Sequence, residues 1–175
     1  FSSLNITVAA GVRQIVQLTG RGLVGIEADS GKFLWSYDDI SNSTANIPTP
    51  IVKGDLVFSA NGYHAGAVLL RIEKSSRGGA GVKATEVYRL QGNRFQNHHG
   101  GCVLIGDHVY GGHGSNNGLP TCLDLATGKI QWKRRGPGTG SASVVPAGGH
   151  LVFRYQDGVV ALIEATPDEF RLKAT

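Results

Sequence analysis

"CLDLATGKIQW", residues 122–132, is two short β-forming runs joined by an Ala-Thr-Gly turn and closed by a tryptophan. "GIEADSGKFLW", residues 25–35, has the same layout, and the turn glycines Gly31 and Gly128 lie 97 residues apart. Upstream of the later copy, "GGCVLIG" and "DHVYGG" read as two more strands, so that "PTCLDL" and "KIQWKR" become the third and fourth of one unit. The joints carry turn chemistry: Gly106-Asp107, then the Ser-Asn-Asn-Gly run, then Ala126-Thr127-Gly128. Pro120 falls at a strand start, where the missing N–H is tolerated.

The second strand of this unit recurs along the chain. "RQIVQLTG", "DLVFSANG", "DHVYGGHG" and "HLVFRYQDG" end at Gly20, Gly62, Gly114 and Gly158, offset by 42, 52 and 44 residues. In the second unit "AVLLRIEK" and "ATEVYRL" take the later places, with the glycine-rich "SSRGGAG" as a longer turn. No stretch reads as a helix of more than two turns. Four-stranded antiparallel units repeating every ~40–50 residues are the pattern of β-propeller blades. The expectation is an all-β propeller segment of about four four-stranded antiparallel blades, near residues 4–37, 47–90, 99–135 and 141–175. Four is the sparse end of the ~4–8 blades of single-chain propellers. The chain starts at Phe1 and has no methionine, so it reads as part of a larger ring. Further blades would come from self-pairing or from a sister fragment.

The composition agrees. The 175 residues allow one domain with a sizeable core, and the 26 glycines suit many tight turns. The net charge of +4 is modest. The dense basic run, Lys133-Arg134-Arg135, has no aromatic interleaving and reads as a solvated strand end, with no nucleic acid as partner. No apolar run reaches the ~18 residues of a membrane helix, so no transmembrane segment is expected. No basic n-region opens the chain as a signal peptide would.

"ADSGKFLW" and "DLATGKIQW" resemble the signature of pyrroloquinoline-quinone (PQQ)-like propeller repeats. Openings such as "PTPIVKGDLVFSANG" are similar to the family's as well. The segments "STANIPTPIVKGD", "FQNHHGG", "YGGHGSNNGLP", "GPGTGSA" and "ALIEATPDEF" further resemble a planctomycete-type subgroup, from about Leu23 onward. The resemblance implies a periplasmic or otherwise extracytoplasmic location. It also brings two functional alternatives, a quinoprotein-type alcohol dehydrogenase and a scaffold like the outer-membrane assembly lipoprotein. The dehydrogenases hold PQQ over a tryptophan, under a ring formed by two adjacent cysteines, with Ca²⁺ and a catalytic aspartate. Cys102 and Cys122 are not adjacent, and no Asp-Ser or Asp-Tyr pair falls on an expected inner strand. PQQ is therefore a cofactor by resemblance alone, with its residues expected in other blades. Cys102 and Cys122 sit on strands either side of another strand, about two spacings or ~9–10 Å apart, and are expected as free thiols. Trp35 and Trp132 are expected to dock one blade on the next.

The candidate site follows from blade geometry. The loop leading into an inner strand and the loop between the second and third strands open on one face. That face receives Asn97, His98 and His99, then His113, Asn116 and Asn117, and from the neighbouring blade Tyr63 and His64. These eight are the candidate ligand-binding residues, with His98, His99 and His113 as candidate metal ligands. His108 and His150 begin second strands on the opposite face. Arg154 and Gln156 sit where "FRYQDG" approaches a loop, as polar lining of the ligand face or as plain surface. The functional expectation is an extracytoplasmic binding module taking a small ligand, a metal or a protein partner there.

Overall fold

A computed structural model describes residues 2–75 and 81–175. The first blade pairs β1 (Asn5–Ala9), β2 (Val12–Thr19), β3 (Gly22–Glu27) and β4 (Phe33–Tyr37) in chain order. The second has β5 (Ile51–Lys53), β6 (Leu56–Asn61), β7 (Gly66–Lys74) and β8 (Val82–Leu90). The third has β9 (Asn97–Ile105), β10 (His108–His113), β11 (Leu119–Asp124) and β12 (Ile130–Lys133). The fourth has β13 (Ala142–Ala147), β14 (His150–Tyr155), β15 (Val160–Glu164) and β16 (Leu172–Ala174). All pairings between these strands are antiparallel, and this is the expected all-β propeller architecture. Most of the turn expected at "SSRGGAG" lies outside the described residues.

The repeated turn is built from its own side chains. In the third blade Asp124 accepts hydrogen bonds from Thr127 N at 2.8 Å and Thr127 Oγ1 at 2.7 Å, and Gly128 takes a φ of 69°. A left-handed residue there turns the chain back into β12, and glycine adopts it without a Cβ penalty. In the first blade Glu27 and Ser30 fill these places, with the Ser30 hydroxyl donating to the Glu27 carboxylate.

Period-two alternation decides which side of each sheet is covered. On β14, Leu151, Phe153 and Tyr155 are buried against the third blade while Arg154 is exposed. Three apolar clusters result, one at each junction between consecutive blades. The inner strands β1, β5, β9 and β13 lie side by side in that order, and β4 meets β8 further out.

Both tryptophans are buried at these junctions. Trp132 packs on Tyr110 and Phe170, and its Nε1 donates to the Thr166 carbonyl at 2.9 Å. Trp35 belongs to the cluster shared by the first two blades, and its Nε1 donates to Gln14 Oε1 at 2.6 Å. Cys102 and Cys122 are free; they pair across from Gly111 and Tyr110 on opposite sides of β10. The two outer faces of the segment are different. Leu4, Ile6 and Val8 along the first inner strand, and Val145 and Val160 on the fourth blade, are exposed.

Candidate functional site

The sequence reading put Asn97, His98 and His99 in a loop before the third blade. They belong instead to its inner strand, which begins at Asn97. Asn97 pairs with His113, and Cys102 pairs with Gly111. Four residues, 98–101, therefore stand against Gly112 alone and leave the ladder as a wide bulge. The Asn97 side chain closes it. Oδ1 accepts from Gly101 N at 2.9 Å, and Nδ2 donates to the carbonyls of Gly101 at 3.1 Å and Gly112 at 3.0 Å. Bulges re-aim side chains and recur beside functional sites.

The two glycines of "HHGG" have separate reasons. Gly101 has a φ of 74°, and a Cβ on Gly100 would overlap the Ala142 carbonyl of the fourth blade. The bulge is thus pressed against β13. His98 lies between three blades as a result. Its Nδ1 meets Ser141 Oγ of the fourth blade at 2.7 Å, and its Nε2 meets Tyr63 Oη of the second at 2.9 Å. Burial, then the neighbouring His99, lower its pKa below the ordinary 6.5, so the ring is neutral at pH 7. One ring nitrogen donates and the other accepts. His99 packs beside it with tilted rings whose centroids are 4.4 Å apart, is exposed, and reaches Gln156 Nε2 at 3.5 Å.

Gln96, which the sequence reading passed over, ties the second blade to the third. Its Oε1 accepts from His64 N at 2.9 Å and Ser115 Oγ at 2.8 Å, while Tyr63 N donates to Ser115 Oγ at 3.1 Å. Tyr63 and His64 adopt φ values of 54° and 68° in this turn. Such values are uncommon for non-glycine residues. Ser141 and Gln156 complete the set from the fourth blade, with Gln156 Oε1 accepting from Ser141 N at 2.9 Å. The only sequence signal for these was Gln156 on the same face; a lone Gln or Ser in a polar loop carries no motif.

The expected residues divide. Tyr63, His98 and His99 come together around the bulge, and His64 is exposed beside them in the chain with its N–H on Gln96. Asn97 is buried and fully used in closing it. His113 faces inward: its Nδ1 accepts from Gln96 N at 3.2 Å and its ring stacks on Phe95 with centroids 6.0 Å apart. Burial, aided by the Lys133 charge, lowers its pKa to about 4. The histidine trio expected to hold a metal is not assembled, because one Nδ1 is spent on the backbone and the ring packs in the core. Among the described residues no group of three or more His, Cys, Asp or Glu could hold a metal. Asn116 and Asn117 are exposed in the β10–β11 loop and line a separate cleft at the junction with the fourth blade.

The quinone site implied by resemblance does not fit these residues. The two cysteines are 20 positions apart, and burial raises the Cys122 thiol to about 12, far from a reactive thiolate. The arrangement here is a polar surface of hydrogen-bond donors and acceptors tied together across three blades.

The computationally designed Ika4 protein matches over 94% of this chain and 92% of its own, at 14% identity and a TM-score of 0.60. The computationally designed Ika8 protein matches over 97% of this chain at 12% identity and a TM-score of 0.66, and the chain spans 47% of its length. BamB from Moraxella catarrhalis matches over 92% of this chain and 57% of its own, at 13% identity and a TM-score of 0.42. No curated protein matches. The sequence profile described as outer membrane protein assembly factor BamB matches residues 1–134, and the chain belongs to that PQQ-like propeller family.

Proposed function

We propose that this chain is an extracytoplasmic propeller binding module whose ligand face is the bulge of the third blade and the loops beside it. The observation that carries this reading is His98, neutral and hydrogen-bonded at once to Tyr63 and Ser141 of the flanking blades. Exposed His99 packs against it with Gln156 at 3.5 Å, and the turn carrying Tyr63 and His64 is tied to Gln96 through the His64 N–H. Preorganised polar groups lose little entropy on binding. Groups of this kind suit an uncharged polar ligand, either a saccharide or an exposed peptide segment. The family supports the extracytoplasmic placement, and scaffolding of other proteins is compatible with the same face.

Nuclear magnetic resonance titration with neutral oligosaccharides and with short uncharged peptides tests the proposal. Shifts should gather at Tyr63, His98, His99 and Gln156, and Tyr63→Ala and His99→Ala should each weaken binding several-fold. Absence of shifts there with both libraries would overturn it. A parallel titration with PQQ and Ca²⁺ tests the dehydrogenase alternative; saturable binding that protects those same residues would favour that reading instead.

A further inference from the structure

The basic run read from the sequence as a solvated strand end does not simply project into solvent. Lys133, Arg134 and Arg135 line a cleft of about 530 Å³ at the junction of the third and fourth blades, together with Asn116, Asn117 and Thr139. That volume falls within the ~300–1,000 Å³ of small-molecule sites. We propose that this cleft binds the oxyanion group, a sulfate, phosphate or carboxylate, of a small hydroxylated molecule.

Among the described residues none of Lys133, Arg134 and Arg135 forms an ion pair. The Lys133 ammonium donates to the Arg94 carbonyl at 2.7 Å, and Arg134 Nη1 donates to the Lys133 carbonyl at 3.0 Å. Burial, and then the Arg94 guanidinium, lower the Lys133 pKa, so a bound anion would relieve a charge held at a cost. The nearby Asp157 is already occupied: its Oδ2 accepts from Thr139 N at 2.7 Å and Thr139 Oγ1 at 2.9 Å. The guanidinium forks supply paired N–H donors that match oxyanions. Asn116 and Asn117 present exposed amides with no side-chain hydrogen bond among the described residues, free for ligand hydroxyls.

One wall of the cleft is packed on an aromatic ring. The linker from the third to the fourth blade lies flat on the Tyr155 ring, because a Cβ at Gly136 or Gly138 would overlap it. In the first blade the residues that follow the matching tryptophan, Ser36, Tyr37 and Asp38, stand where Lys133, Arg134 and Arg135 stand in the third, so the repeat itself does not require cations there. This site uses residues distinct from the histidine face, and the two can fail separately.

Calorimetric titration at low ionic strength with inorganic sulfate, inorganic phosphate, glucose 6-sulfate, glucose 6-phosphate and glucose tests the inference. The anions should bind, glucose should not, and affinity should fall as sodium chloride is added. Arg134→Gln with Arg135→Gln, both exposed and outside the core, should reduce affinity at least ten-fold with an unchanged melting temperature. Sugar esters binding tighter than the inorganic ions, with the difference lost in Asn116→Ala/Asn117→Ala, would identify the hydroxylated ligand; equal affinities would identify a free inorganic anion and overturn the hydroxylated part. No anion binding, or binding unchanged in the double arginine variant, would overturn the site. A single-stranded oligonucleotide binding more tightly than either ester would replace the small-ligand reading.

Discussion

The side-chain amide of Asn97 grips Gly101 from both sides, accepting from its N–H at 2.9 Å and donating to its carbonyl at 3.1 Å. Its third bond reaches the buried Gly112 carbonyl at 3.0 Å. Asn97→Ala leaves the Gly112 carbonyl without this partner in a buried setting, at about 1–3 kcal/mol by the usual cost of an unsatisfied group. Urea denaturation should show that loss. The His98 and Ser141 resonances should shift in the same variant, since the bulge would no longer be closed.

Gly100 makes the complementary case. A Cβ there would overlap backbone, the Ala142 carbonyl, which has no rotamer to escape through. Gly100→Ala should cost at least the ~1–3 kcal/mol of core overpacking by denaturant titration. A variant as stable as the parent would mean that β9 and β13 can separate freely.

The blades were legible in the sequence because turn and alternation repeat together. Asp124, Thr127 and Gly128 recur in altered form as Glu27, Ser30 and Gly31, and the paired strands follow from them. The site was legible only in its address. Face assignment brought Tyr63, His64, His98 and His99 together, but nothing in "FQNHHGG" says that Asn97 closes a four-residue bulge. That depends on a register skip between Gly111 and His113, a property of pairing with β10. For the same reason His113, grouped with its neighbours as a ligand, turns inward to Gln96 and Phe95. The basic run stands at the end of β12 with Arg134 and Arg135 exposed, as expected; that it lines a cleft depends on the linker residues Gly138, Thr139 and Gly140 folding back beside it, which local sequence does not report.

His113 sets a pH dependence. Its pKa is lowered by burial and by Lys133 from 6.5 to about 4. The folded protein thus resists a proton that the unfolded chain accepts. Stability from this group is fully present above pH ~6.5, is lost as pH falls from there to about 4, and then levels off. The full effect is on the order of 3 kcal/mol at ~1.4 kcal/mol per pKa unit. His98, also lowered, adds in the same direction. Urea midpoints between pH 7.5 and 4 should fall for the parent and fall less for His113→Gln, with the His113 ring resonance titrating well below 6.5.

Trp132 joins the third and fourth blades through Tyr110, Phe170 and the Thr166 carbonyl. Trp132→Ala should cost ~3–5 kcal/mol through the cavity it opens. Trp132→Phe keeps part of the packing and loses the hydrogen bond, so its cost should fall between alanine and parent. Calorimetric unfolding distinguishes the three.

The outer faces of the first and fourth blades call for a cover. Each junction inside the segment is filled by an apolar cluster, yet Ile6 is 53% exposed, Val8 59% and Val145 59%. These residues sit on inner strands, where a neighbouring blade's inner strand packs at every other junction. Rows of exposed aliphatic side chains on a sheet favour association. We expect this chain to complete a ring with further blades, supplied by a second copy or by a sister segment. Light scattering of the chain alone should show a mass above 18.4 kDa. Ile6→Lys with Val8→Lys should return it to the monomer without lowering the melting temperature of the isolated segment, because both side chains already face solvent there. A parent chain that stays monomeric at high concentration would count against self-pairing and leave a sister segment as the cover. If adding further blades in one polypeptide also failed to bury Ile6 and Val145, measured by their loss of amide and methyl solvent exposure, the ring expectation itself would be overturned.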